Sequence, residues 1–99
     1  MAFKVEFTEQ ADADLAGIID HIGQDSPQAA RQTYANIIQR CQALGETPDM
    51  AQQTYPGVRR LVVGAYLVFY RRRNRSGSEL IEILRILHGA RLIPPSLGG

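Results

Sequence analysis

The sequence predicts an α+β domain of order β-α-α-β-β-β. An N-terminal strand and an antiparallel helical hairpin pack on one face of a small antiparallel sheet. Three observations predict it. Apolar residues alternate with polar ones from Phe3 to Phe7, recur at a helical period from Ala11 to Leu44, and return to alternation after Val58. With 99 residues and no internal repeat, the chain is expected to be a single domain over 1–91, followed by a loose tail at 92–99 where Pro94-Pro95 can extend neither a helix nor a central strand.

In the first strand Phe3, Val5 and Phe7 share one face and Lys4 and Glu6 the other. Thr8 is placed as an N-cap, with Glu9 in the first turn where the helix dipole favours an anion. Ala11, Leu15, Ile18, Ile19 and Ile22 then form one stripe, with Asp12, Asp14 and Asp20 off it, and Gly23 is the expected stop. Ser26-Pro27 reads as a cap with proline in the first turn of a second helix, whose stripe is Ala30, Tyr34, Ile37, Ile38, Cys41 and Leu44. That stripe places Tyr34 and Cys41 in the core, with His21 at the surface, and Gly45 closes the helix. Residues 46–56 read as a polar loop. Three strands follow at Val58–Val63, Ala65–Arg72 and Leu80–His88, joined by a tight turn at Gly64-Ala65 and a looser one from Asn74 to Ser78.

One cysteine excludes an intramolecular disulfide and a cysteine zinc cluster, so neither metal nor cofactor is expected. No run of 18 apolar residues offers a membrane span, and the reading is cytoplasmic. The net charge of +1 conceals a division along the chain. Three cations face eight acids up to Val58, for −5; from Arg59 onward eight arginines face two glutamates, for +6. Such a basic half expects an anionic partner, either nucleic acid or an acidic protein surface.

On the middle strand Tyr66, Val68 and Tyr70 share one face, and Leu67 and Phe69 the other. On the last strand Ile81, Ile83, Arg85 and Leu87 share one face, and Leu80, Glu82, Leu84, Ile86 and His88 the other. Helices enough for only one sheet face leave an apolar surface for a partner. Arg59 and Arg60 must lie on opposite sides of the sheet, and at least one of Arg71 and Arg72 on the uncovered side. Arg85, among apolar neighbours, must pair with a carboxylate or reach a partner.

The ordered set T-x-x-A-x-x-D-L-x-x-I (Thr8–Ile18), S-P-x-x-A (Ser26–Ala30), G-V-R-R-L (Gly57–Leu61), Y-L-V-F-Y-R (Tyr66–Arg71) and I-L-R-I-L-H-G-A-R (Ile83–Arg91) resembles the RelE/ParE toxins of bacterial toxin–antitoxin modules, over essentially the whole chain and closest to the ParE branch. The chain departs from that pattern after Arg91, where Leu92-Ile93-Pro94-Pro95 stands in place of the Arg-Asp that ParE-like chains commonly carry.

The resemblance implies a toxin that binds DNA gyrase and stabilises its cleaved-DNA state. A ParD-like antitoxin neutralises it in a hetero-oligomer, which reaches promoter DNA only through the antitoxin. The RelE branch implies instead ribosome-dependent cleavage of messenger RNA, which needs a base, an acid and cations around the scissile phosphate. Here those would be His88 and Tyr70, with Arg59, Arg85 and Arg91; no tyrosine follows Tyr70. An inactive toxin that only binds its antitoxin is the third alternative. For the gyrase reading no catalytic residue is favoured. The expected target contacts are Arg59, Arg71, Arg72, Arg73, Arg85, His88 and Arg91, and the expected antitoxin contacts are Leu15, Ile19, Tyr66, Val68, Tyr70 and Arg85.

Overall fold

Strand β1 (Lys4–Phe7) leads into helices α1 (Glu9–Asp25) and α2 (Pro27–Ala43), which precede strands β2 (Gln52–Tyr55), β3 (Val58–Val63), β4 (Tyr66–Arg75) and β5 (Ser78–His88). The computed structural model describes residues 2–89, so the expected tail at 92–99 lies outside the described residues. The sheet order is β1-β5-β4-β3-β2, antiparallel throughout except that β1 lies parallel to β5.

Local chemistry sets the helix ends. The Thr8 hydroxyl accepts from the Ala11 N–H, and the Ser26 hydroxyl accepts from the Ala29 N–H. Gly23 does not stop α1 as expected: the helix continues to Asp25, and Ser26 caps both helices, donating its own N–H to the Ile22 carbonyl. Gly45 is required by close approach, because a Cβ there would collide with the Phe3 carbonyl; its own carbonyl accepts from the Phe3 N–H at 2.8 Å.

Between the helices and the sheet lies a core of Leu15, Ile37, Cys41, Leu44, Leu61, Val63, Val68, Tyr70, Ile81, Ile83 and Ile86. Cys41 is buried there as expected, but Tyr34 is not; it is 48% exposed, because its helix turn overhangs the groove between the helices. The Gln52–Tyr55 segment, expected within a loop, pairs with β3 as an edge strand with an irregularity between Gln53 and Tyr55. Its Gln-Gln-Thr-Tyr sequence has no apolar alternation; backbone pairing defines it, with Tyr55 packed against the apolar cluster that holds Val58 and Phe69. The turn after β4 is tight rather than loose. Ser76 and Gly77 both take positive φ (53° and 84°), the conformation of a two-residue hairpin turn.

The alternation expected along β5 is reversed part-way. Tyr70 pairs with Ile83 and Phe69 with Arg85, so Leu84 is an inserted bulge residue. Ile86 therefore joins Ile81 and Ile83 under the helices, while Leu84 and Leu87 join the opposite face. On that face Val58, Phe69 and Leu87 form a second cluster and are buried, correcting the expectation of a broadly open apolar face.

Candidate functional site

β1 ends at Phe7 beside Ile83, which would leave the next residues of β5 as a bare strand edge. The start of α1 takes over. The Thr8 N–H donates to the Ile83 carbonyl, and the Thr8 hydroxyl donates to the Leu84 carbonyl. Nearly two turns on, the Asp14 carboxylate accepts from the Ile86 N–H at 2.9 Å and from the Arg85 Nε and Nη2 at 2.8 and 3.1 Å. Burial pushes the Asp14 carboxyl up, but its bonds to Arg85, the Ile86 N–H and Gln10 outweigh that and hold it below the usual carboxylate range. Of the two destinies open to Arg85, the structure shows the internal pairing.

In the middle of β4, Tyr70 is fully buried and its hydroxyl donates to the Pro48 carbonyl at 2.8 Å. Arg59 donates to the Ala51 carbonyl at 2.7 Å and pairs with Asp49 at 3.5 Å. Arg72 reaches the same Asp49 at 3.1 Å and Glu79 at 2.6 Å, with its guanidinium 5.1 Å from the centre of the Phe3 ring. These three side chains pin the segment from Pro48 to Ala51 against the sheet. Desolvation pushes the Tyr70 phenol up, so it holds its proton throughout the neutral range.

His88 pairs across the strands with Tyr66, and their rings meet edge to face at 5.4 Å. With Asp14, Gly17, Ile18 and His21 they line a cleft of about 400 Å³. The nuclease candidates are thus not brought together. Tyr70 is four residues along β4 from His88's partner, roughly 13 Å at the rise of a strand. Arg59 stays with Tyr70, Arg85 is held by Asp14, and Arg91 lies outside the described residues. No group of three metal-ligating side chains occurs among the described residues.

The basic run of β4 divides by face. Arg71 and Arg73 both reach Glu82, each at 2.8 Å, and Arg75 reaches Glu6 at 3.0 Å, all opposite the helices. Burial raises the Glu82 carboxyl, but hydrogen bonds from the two arginines lower it further and prevail. Arg72 points to the helix side.

A groove of about 660 Å³ runs between the helices and the end of β1. Phe7, Leu15, Ile19, Tyr34 and Ile38 line it, and Asp12 and Asp20 sit on its rim. α1 carries five acids and neither lysine nor arginine. Of the expected antitoxin contacts, Leu15 and Ile19 are on this groove, Arg85 is paired with Asp14, and Tyr66 lines the histidine cleft. Val68 and Tyr70 instead lie wholly buried under the helices, because the face that carries them is the covered one. Sequence reading missed Tyr34 as a surface residue, since a stripe position does not reveal where the neighbouring helix parts from it. It also missed Asp14 as a structural carboxylate; the signal available was an acid nearly two turns into a helix that follows the edge strand.

Three comparisons place the chain among the RelE/ParE toxins. Residues 5–93 match the family model described as the ParE toxin of the type II toxin–antitoxin system parDE. The Caulobacter vibrioides protein "Toxin RelE2" is 36% identical over 90 residues, which cover 90% of this chain and 98% of that protein. The fold matches a solved chain of the chromosomal ParDE system from P. aeruginosa with a TM-score of 0.73 and 25% identity, over 88% of this chain and 96% of the other. The chain belongs to the ParE toxin family of type II toxin–antitoxin systems.

Proposed function

We propose that this toxin acts without catalysis, arresting growth by binding DNA gyrase in the cytoplasm and stabilising its cleaved-DNA state, until a ParD-like antitoxin occupies it. The observation that carries the reading is the dispersal of the acid–base set. Tyr70 spends its hydroxyl on Pro48 and Arg59 on the adjoining loop, while His88 lies at the far end of the strand. General acid–base catalysis requires both groups within hydrogen-bond reach of one substrate, and this spacing does not support it. The antitoxin's place is the groove between the helices, where Ile19 and Tyr34 offer apolar surface. Promoter DNA is reached only through the antitoxin.

A second reading, ribosome-dependent cleavage of messenger RNA, draws on the cleft that holds His88, Tyr66 and His21, and on the name of the Caulobacter relative. Purified gyrase with ATP and plasmid separates the two: protein-linked linear DNA supports the gyrase reading, and its absence together with cut messenger RNA on ribosomes supports the other.

A further inference from the structure

Strand β3 presents Arg59, Leu61 and Val63 toward the helices and Val58, Arg60 and Val62 toward the opposite side. Among the described residues, every arginine from Arg59 to Arg85 except Arg60 has a carboxylate at salt-bridge distance. Arg60 stands directly across from Phe69, and Val62 directly across from Leu67. Phe69 and Val58 are buried beneath, Leu67 and Leu84 are half-buried, and Val62 is 54% exposed. The result is an arginine with no acid beside it, set on an apolar floor and bordered by an exposed valine.

This chemistry selects among partners. A phosphate backbone is gripped by several uncommitted cations, but here Glu82 takes up Arg71 and Arg73, and Glu6 takes up Arg75. One uncommitted arginine amid apolar side chains is the composition of a protein–protein anchor point. The acidic helical side carries the opposite charge and cannot serve the same ligand.

We propose that the sheet face centred on Arg60, Val62 and Leu67 is where the toxin engages its target protein, and that it takes an acidic side chain set among apolar ones. The proposal rests on the toxin reading but not on gyrase being the target. The antitoxin's groove lies on the other side of the molecule, so the two contacts are separable by mutation.

The test compares the parent chain with Arg60→Glu and Val62→Glu for growth arrest on induction, for affinity to the purified antitoxin, and for melting temperature. Each variant is expected to weaken arrest by roughly tenfold or more, as loss of an interface anchor does, with antitoxin affinity and melting unchanged. Arg60→Lys, which keeps the charge, is expected to retain part of the toxicity. Full toxicity in both glutamate variants would overturn the proposal. So would loss of antitoxin binding with an unchanged melt, which would give the patch to the antitoxin, or a parent chain that arrests nothing. If Arg60→Glu lowers the melt, the exposed Val62→Glu decides alone. A parent chain that arrests growth yet leaves gyrase undisturbed removes the gyrase reading while the patch is still judged by the variants.

Discussion

Asp14 holds Arg85 through two hydrogen bonds at 2.8 and 3.1 Å and spends a further lone pair on the Ile86 N–H. One carboxylate of α1 therefore closes the β5 edge that β1 leaves open and neutralises the arginine beside the bulge. With the Asp14 side chain 9% exposed and that of Arg85 28%, removing either partner strands the other. Arg85→Ala and Asp14→Asn are each expected to cost about 1–3 kcal/mol in denaturant melts, the range for leaving a buried hydrogen-bonding partner unsatisfied. An unchanged melt for both would contradict this role for the pair.

The same pair sets an acid limit. Asp14 and Glu82 are both held below their ordinary carboxylate values, by Arg85 and by the Arg71 and Arg73 pair, against the opposing effect of burial. A carboxyl depressed on folding contributes stability above its unfolded pKa and loses it as pH falls through the folded one. The melting temperature is therefore expected to hold steady from pH 7 to about 5 and to fall below about pH 4, where free carboxylates begin to protonate. Asp14→Asn is expected to flatten part of that fall; an identical acid profile in the variant would exclude Asp14 as a contributor.

Neither Tyr70 nor His88 is expected to be needed for toxicity, and Tyr70 is expected to matter for stability. Tyr70→Phe removes the bond to Pro48 and is expected to destabilise by about 0.5–1.5 kcal/mol. Toxicity is expected to survive it, and to survive His88→Ala as well. Toxicity abolished by His88→Ala in a folded, antitoxin-binding chain would point to the ribonuclease.

On the helical side, Ile19 and Tyr34 line the groove at its partly open surface, whereas Leu15 is buried at its floor. Ile19→Glu adds a charge next to Asp12 and Asp20 and is expected to weaken antitoxin binding at least tenfold while toxicity persists. Calorimetry reads the affinity directly. Undiminished binding would move the antitoxin elsewhere.

Cys41 is wholly enclosed, and burial pushes its thiol up to about 12, with Arg40 lowering it only in part. The thiolate that reacts with alkylating agents is then scarce and shielded. Modification is expected to keep pace with global unfolding across a denaturant series; rapid labelling of the folded chain would show that α2 opens locally.

Periodicity revealed the helical hairpin, the central strands and the core identity of Leu15, Ile37 and Cys41, because those positions answer to burial alone. The β2 edge strand was illegible, since Gln52 to Tyr55 are held by backbone pairing and not by an apolar pattern. The bulge at Leu84 was illegible for a different reason: it depends on where β1 ends against β5, a relationship between segments about 76 residues apart. It governs which side Ile86 and Leu87 face, so plain alternation puts both on the wrong side of the sheet. Sequence alternation separated Arg59 from Arg60 correctly, but the partners that distinguish them, Asp49 and Ala51, belong to a loop whose path no pattern predicts.

The most direct measurement is a plasmid supercoiling assay with purified gyrase, ATP and the antitoxin-free chain. The account predicts linear DNA covalently attached to gyrase, growing with toxin concentration and abolished by adding antitoxin. Unimpaired supercoiling without linear DNA, from a chain that still arrests growth, would contradict it and direct attention to His88 and messenger RNA on ribosomes.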